Sequence, residues 1–234
     1  GGMFETLDDE QGAVSDFLLD TTRYIDLEGA FRSGKTTAAC WKVLNSCLEH
    51  PGIHWLICRY GDGDTKSKLK PVFEGICIEA GQWPAWHPHE QYYAFDNGSW
   101  VYCLGLKAQD QMTRYAKLRG LTLAGIYVDQ AEELPYDVYL ELKGRLSQSA
   151  QPHQLMLTPN PPDENHWIAR TEFPDDNHRA GHKYFQVSIY DNEHNLPDNY
   201  VRRQEKRGRK DPMWFKCYCL GKWGAFGGKR FKTW

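Results

Sequence analysis

Residues 24–37 read Tyr-Ile-Asp-Leu-Glu-Gly-Ala-Phe-Arg-Ser-Gly-Lys-Thr-Thr, and no other stretch constrains the chain as much. Gly29 to Thr36 spell G-x-x-x-x-G-K-T. Before it, Tyr24, Asp26 and Glu28 alternate with Ile25 and Leu27, which predicts a strand; after it, Thr37-Ala-Ala-Cys-Trp-Lys-Val-Leu44 predicts a helix. A glycine-rich loop between a strand and a helix N-terminus cradles phosphates, because loop N–H groups and the positive end of the helix dipole both face the negative charge. Gly29 and Gly34 allow positive φ and close approach of the backbone to a phosphate. In such a loop Lys35 reaches the terminal phosphates and the Thr36 hydroxyl ligates magnesium. The stretch reads as a nucleoside triphosphate site, with Gly29, Ala30, Phe31, Arg32, Ser33, Gly34, Lys35, Thr36 and Thr37 as its binding residues.

The 234 residues suffice for one large α/β domain with a small appendage. Hydrophobic residues at 41% and aromatics at 14% argue for a folded globule rather than a disordered chain. No apolar run approaches the ~20 residues that span a bilayer, and no signal-peptide pattern opens the chain, so no membrane partner is expected. Gly1-Gly2 ahead of Met3 reads as a vector remnant. The seven cysteines lack paired C-x-x-C spacing and read as reduced core residues of an intracellular protein. His87 and His89 could form half of a metal site, but an exposed loop is the preferred reading.

A net charge of −3 does not announce a nucleic-acid binder, but its distribution matters more. Between Val201 and Trp234 stand eleven Lys or Arg against Glu205 and Asp211. Arg202, Arg203, Arg207, Arg209 and Lys210 are the candidates to meet a phosphate backbone, with a merely solvated basic helix as the equal alternative.

Along the chain, residues 4–22 predict a helix covering the base side of the nucleotide. Residues 53–58, 123–128, 154–158 and 184–187 are apolar runs of buried-strand length. A helix is expected over 62–80, broken or kinked at Pro71, and another over 135–146 with Val138, Leu142 and Leu146 on one face. Asp96-Asn-Gly-Ser99 between two β-prone runs predicts a hairpin within a β excursion over 83–105. Residues 110–117 are polar and partly helical in pattern. Strands alternating with helices predict an α/β fold: a mostly parallel sheet covered on both faces. The division falls at a core of residues 1–195 and a basic, aromatic subdomain over 196–234.

Ile126-Tyr-Val-Asp129 is an apolar strand ending in an acid, 94 residues after Lys35. A carboxylate at that strand edge can hold magnesium beside the phosphate loop, so Thr36 and Asp129 are the metal candidates. Thr158 and Asn160 end the next predicted strand, where polar groups can touch the γ-phosphate region.

The order Gly-Ala-Phe-Arg-Ser-Gly-Lys-Thr, Leu-Arg-Gly-x8-Asp-Gln-Ala-Glu-Glu-Leu-Pro, Gly-Arg-Leu-Ser, Leu-Thr-Pro-Asn-Pro resembles the ATPase domain of the phage large terminases over essentially the whole chain. The resemblance implies a P-loop NTPase fold of the RecA-like class with a C-terminal lid, ATP and Mg2+ as cofactors, and a motor that packs double-stranded DNA. It implies a portal protein and a small terminase subunit as partners, a ring of identical subunits when assembled, a monomer in isolation, and the cytoplasm of an infected cell as location. Residues 221–228 are similar to the family's linker to its nuclease domain, so no nuclease activity is expected of this fragment. The same resemblance makes Asp129 the magnesium acid, Arg32 the arginine within the loop, and Thr158 and Asn160 the coupling motif. It makes Arg119 a finger for a neighbouring subunit's ATP; a surface arginine in a turn is the alternative. The family carries Glu after the Asp as catalytic base, where this chain has Gln130. Either Gln130 is natural and Glu132 or Glu133 serves, with Glu132 preferred, or it is an engineered change. A helicase-like ATPase and a nucleotide switch with little turnover stand as alternatives.

Overall fold

The computed structural model describes residues 12–108, 112, 116, 118–160, 163–174 and 179–222. α1 (Gly12–Leu19) leads into β1 (Tyr24–Gly29), α2 (Lys35–Glu49) and β2 (His54–Arg59). One helical turn, Asp62–Asp64, runs through a π-helical segment, Thr65–Leu69, into α3 (Lys70–Glu79); β3 (Ala85–His87), β4 (Tyr92–Ala94) and β5 (Trp100–Gly105) follow. Then come β6 (Gly125–Asp129), α4 (Tyr136–Arg145), β7 (Gln154–Thr158), β8 (His182–Val187), α5 (Tyr200–Gly208) and α6 (Pro212–Tyr218).

The eight strands make one sheet in the order β3-β4-β5-β2-β6-β7-β1-β8. From β5 to β8 every pairing is parallel, while β3–β4 and β4–β5 are antiparallel. Side chains alternate between two cores. Ile25, Leu27, Trp55, Ile57, Val101, Tyr127 and Met156 point to the face covered by α1, α2 and α3. Leu56, Cys58, Ile126, Val128, Leu155 and Leu157 point to the face covered by α4 and Ile168. Both faces are apolar because parallel strands with crossover helices are covered on both sides. The strand before the loop motif and the strand bearing Asp129 are not neighbours: β7 lies between β1 and β6.

Three local readings needed revision. The hairpin at Asp96–Ser99 forms, with Gly98 at φ 84° and Ala94 opposite Trp100, but β5 is no excursion. It pairs in parallel with β2 over six residues, from His54↔Trp100 to Arg59↔Gly105. At Pro71 the helix does not break. The π-helical turn ends just ahead of it, so the missing N–H falls at the second residue of α3, where an α-helix needs no donor. Of the helix expected over residues 4–22, the described part, α1, does not line the cleft beside the loop, and residues 4–11 lie outside the described residues. α1 packs on α2 and β8, with Phe17 edge-on to Phe185 at 5.9 Å. Lys42 of α2 holds it there: its buried ammonium donates to the carbonyls of Phe17 (2.9 Å), Leu18 (2.8 Å) and Asp20 (2.7 Å), the oxygens that the end of α1 leaves open.

After β8 the chain returns to the loop motif. Ile189 N–H donates to Cys219 O and Phe31 N–H to Tyr218 O. Ala30, Ile189, Val201 and Cys219 form a separate small core flanked by Leu196, Trp214 and Phe215. The approach is close: a Cβ on Gly221 would lie 2.6 Å from Gly29 Cα, and one on Gly29 would lie 2.3 Å from Val187 Cγ2. Among the described residues no helix is long and apolar enough to cross a membrane. Gly1 and Gly2, most of segment 110–117, residues 223–228 and the basic residues Lys229, Arg230 and Lys232 lie outside the described residues.

Candidate functional site

β1 ends at Gly29, and the chain turns through Ala30–Ser33 with Arg32 at φ 63° before Gly34, at φ 82°, admits α2. The left-handed glycine aims the first amides of a fifteen-residue helix at a cleft of about 240 Å³. Phe31 to Thr37, Arg59, Asp129, Gln130, Thr158 and Asn160 line this cleft. It opens at the carboxyl ends of parallel strands, where α/β sheets bind ligands.

Lys35 is buried and folded back on the loop. Its Nζ donates to Gly29 O (2.7 Å), Ala30 O (2.8 Å) and Asn160 Oδ1 (3.2 Å). Burial pulls its pKa down to about 8, against the pull of Glu132 and Asp129. A phosphate offers this ammonium more than three neutral oxygens do.

Asp129, at the end of β6, is the meeting point of the site. Thr36 Oγ1 donates to its Oδ1 at 3.0 Å, and the hydroxyls of Tyr127 and Thr158 stand 2.9 Å from the same oxygen. Arg59, the last residue of β2, donates through Nε to Oδ2 at 2.7 Å, and its Nη2 forms an ion pair with the same oxygen. Its Nη1 donates to Gln130 Oε1 at 2.7 Å. Gln130 itself is left-handed, φ 51°, which turns the chain out of the sheet into the short helix Ala131–Glu133.

Glu132 stands one layer behind. Asn160 donates to it twice, from its backbone N–H and its side-chain amide, each at 3.0 Å. Burial raises its pKa, opposed by those Asn160 bonds and by Lys35. Ile168 N–H donates to His166 Nδ1, which leaves the ring proton on Nε2 for the Glu132 carbonyl, 3.0 Å away.

The residues expected from the sequence divide as follows. Gly29 and Ala30 lie at the base of the loop under the C-terminal segment, and Phe31 to Thr37 face the cleft. Arg32 is exposed on the rim, its guanidinium 5.4 Å from the centre of the Tyr200 ring, while Asn192 donates to its carbonyl. Asn160 joins Lys35 to Glu132, and Thr158 joins Asp129. Arg119 lies exposed in the turn after Leu118 and does not line the cleft. Arg202, Arg203, Arg207, Arg209 and Lys210 are exposed on and just after α5, with Arg207 stacked 3.8 Å over Trp214. Arg59, Tyr127 and His166 escaped the sequence reading. The signal for Arg59 was present: a charged residue ends the apolar run 53–58, next to the predicted Asp129 strand.

The donor set can be tested against magnesium. Among the described residues no group of three His, Cys, Asp or Glu could hold a metal by itself. Thr36 and Asp129 offer a hydroxyl and a carboxylate 3.0 Å apart beside a phosphate-binding helix end. That partial set fits a Mg2+ whose coordination is completed by phosphates and water.

Comparison with known proteins follows the same line. A family model described as phage terminase large subunit matches residues 22–222. The large terminase of a thermophilic bacteriophage superposes with a TM-score of 0.73 at 18% identity, covering 92% of this chain and 53% of that one. The same terminase solved with ADP gives 0.73 at 19% identity, again with 92% and 53% covered. The ATPase domain of the Thermus phage P74-26 large terminase gives 0.64 at 15% identity, covering 92% of each chain. This chain thus spans about half the length of the first of these terminases. At such identities the likeness concerns the fold, which is that of the P-loop NTPases. A search of curated protein sequences finds no match.

Proposed function

This chain belongs to the phage terminase large subunit family, and from that premise we propose that it is a Mg2+-dependent ATPase that drives double-stranded DNA into a procapsid. The observation that carries the proposal is the juxtaposition of Thr36 and Asp129 at the mouth of α2, with Lys35 beside them. Thr36 and Asp129 would hold the metal, which, when bound, neutralises charge on the phosphate oxygens. Lys35 exchanges its loop carbonyls for the terminal phosphates. The amides of Gly34 to Thr37 hold the phosphate chain in line for attack by water, so positioning and charge compensation supply most of the rate.

Glu132 is the general base in this reading. Burial raises its affinity for a proton, and Asn160 fixes both of its oxygens. Gln130 cannot take a proton and instead orients the water. Thr158 and Asn160, which touch Asp129, Lys35 and Glu132, pass the loss of the γ-phosphate on to the rest of the domain. Arg32 answers to the same phosphates from the rim, and its contact with Tyr200 supports a lid that starts near residue 196. Arg119, exposed and away from its own cleft, completes the site of a neighbouring subunit in a ring. Arg202, Arg203, Arg207, Arg209 and Lys210 meet the DNA backbone. The portal, the small terminase subunit and the host cytoplasm complete the setting.

Calorimetry and a phosphate-release assay test the proposal. Lys35→Ala loses ATP affinity while the fold persists, and Glu132→Gln binds ATP with hydrolysis lowered about 10²–10⁴-fold. Unchanged ATP affinity in Lys35→Ala sinks the nucleotide assignment. Gln130 favours one rival, a switch without turnover: ATP bound by the wild type with no phosphate released would select it. Arg119 is tested by mixing Arg119→Ala with Lys35→Ala. Recovered hydrolysis supports a finger acting between subunits, and none in a co-assembled mixture removes it.

A further inference from the structure

Asp129 carries more donors than a metal-binding carboxylate can keep. Thr36, Tyr127 and Thr158 crowd Oδ1, and Arg59 occupies Oδ2 through both Nε and Nη2. Both partners of the ion pair are buried, with side chains 9% and 3% exposed, so neither charge is screened by water. A divalent cation entering beside Thr36 at Oδ1 competes with the guanidinium on Oδ2 for the one negative charge of this carboxylate, and in a site withdrawn from water the two cations repel each other.

Arg59 is also placed to move. Its backbone is fixed at the end of β2, where its N–H meets Thr65 Oγ1 at 3.2 Å, but its guanidinium lines the cleft. Its second anchor, Gln130 Oε1, is neutral and half-buried on a left-handed residue at the same cleft wall. Lys35 and Gly34, beside which a phosphate chain would lie, line the same cleft.

We propose that Arg59 is the exchangeable counter-ion of Asp129: it competes with the metal for the charge of that carboxylate and, once displaced, turns to the terminal phosphate. The proposal rests on the nucleotide reading above and adds a positioning residue to it. Metal entry and triphosphate recognition become coupled, because the metal frees the cation that distinguishes ATP from ADP. A planar fork suits this exchange, since the same N–H pair that holds a carboxylate fits a phosphate.

The probe is Mn2+, counted free by electron paramagnetic resonance in the presence of ADP or ATPγS. Arg59→Gln removes the competitor, so Mn2+ should bind the ADP complex about tenfold more tightly, within the usual range of coupling between two ligands. Its preference for ATPγS over ADP should fall several-fold, and Arg59→Lys should lie between. A purely structural arginine would give Mn2+ affinity unchanged or weakened in a folded Arg59→Gln, which overturns the proposal. Should that variant not fold, the wild type decides through its Arg59 Nε–H. Bonded to Asp129, this proton should be protected from exchange, and in the ADP complex, which has no γ-phosphate to take it up, Mg2+ should lower that protection relative to the metal-free complex. Equal protection in both overturns the proposal while leaving the ATPase reading intact. A wild type that binds neither nucleotide overturns the parent reading instead.

Discussion

Asp129 and Glu172 are two carboxylates withdrawn from solvent, each met by at least one tyrosine hydroxyl and one basic side chain, in two separate parts of the molecule. Glu172 receives the hydroxyls of Tyr136 (2.8 Å) and Tyr139 (3.2 Å), the ammonium of Lys143 (3.2 Å) and the ring Nε2 of His182 (3.1 Å), and Arg179 pairs with it at 3.1 Å. These partners belong to α4, β8 and the residues before it, and none lines the cleft. Three basic side chains surround one negative charge. Hydrogen bonds from His182, Tyr136 and Lys143 outweigh the burial that would raise its pKa, and hold it well below the usual carboxylate range. Asp129 has one cation, and two of its partners, Thr36 and Arg59, also line the cleft. A carboxylate whose neighbours have nowhere else to go is architecture, and one whose neighbours can be drawn off by a ligand is a site.

The comparison can be broken from either side. Asp129→Asn should lower hydrolysis on the order of a thousandfold or more, equivalent to about 4 kcal/mol of barrier, and should also lower the unfolding midpoint, because Arg59 loses its buried counter-charge. A variant that hydrolyses ATP normally would erase the distinction. Glu172→Ala should cost about 3 kcal/mol of stability in denaturant, since the hydroxyls of Tyr136 and Tyr139 and the ammonium of Lys143 lose their common acceptor, while the folded fraction keeps its ATP affinity. Loss of affinity ahead of unfolding would make Glu172 part of the site.

Tyr136→Phe removes one bond to a charged group and should cost roughly 1.5 kcal/mol. Acid titration sharpens the contrast further. Because the folded pKa of Glu172 is depressed, its contribution is complete above the ordinary carboxylate pKa and is lost as pH falls through and below that range, so Glu172→Gln should flatten the acid limb of a stability curve. Asp26 should do the reverse. Buried with no hydrogen-bond donor among the described residues and facing Glu28 two residues on, it has a pKa raised by burial first and by Glu28 second. The folded state holds a proton that the unfolded chain releases, so Asp26 weakens the fold near neutrality and ceases to do so in acid. Asp26→Asn should stabilise at pH 7 by about 1 kcal/mol, and a gain that persists undiminished at pH 3 would contradict the assignment.

The two carboxylates were not equally legible in the sequence. Asp129 ends an apolar strand at a set distance from a glycine-rich loop, so local pattern and spacing sufficed. Glu172 is met by residues 136, 139, 143, 179 and 182, which share no motif and converge only through the register of β8 and the face of α4. Arg59 falls between the cases. It ends a run of apolar residues as any solvated strand end would, and only the pairing of β2 with β6 turns it toward Asp129. The same nonlocal pairing hid β5, whose hairpin turn is written in four consecutive residues while its partner β2 lies some forty residues earlier. Helix and strand assignments rested on local periodicity and were mostly readable; which strand lies beside which was not.

Ala30 is at once a residue of the phosphate loop and a member of the small core built by Ile189, Val201 and Cys219. The loop and the C-terminal helices therefore share one patch of apolar packing, so opening either exposes part of the other. Slow amide exchange in α5 and α6 should consequently report what is bound some residues away at Gly34 and Lys35, without any ligand touching those helices. A substitution at Val201 or Cys219 that loosens this packing should be felt as a softened phosphate loop, so a defect that looks like weak ligand binding can originate in a core that no ligand reaches.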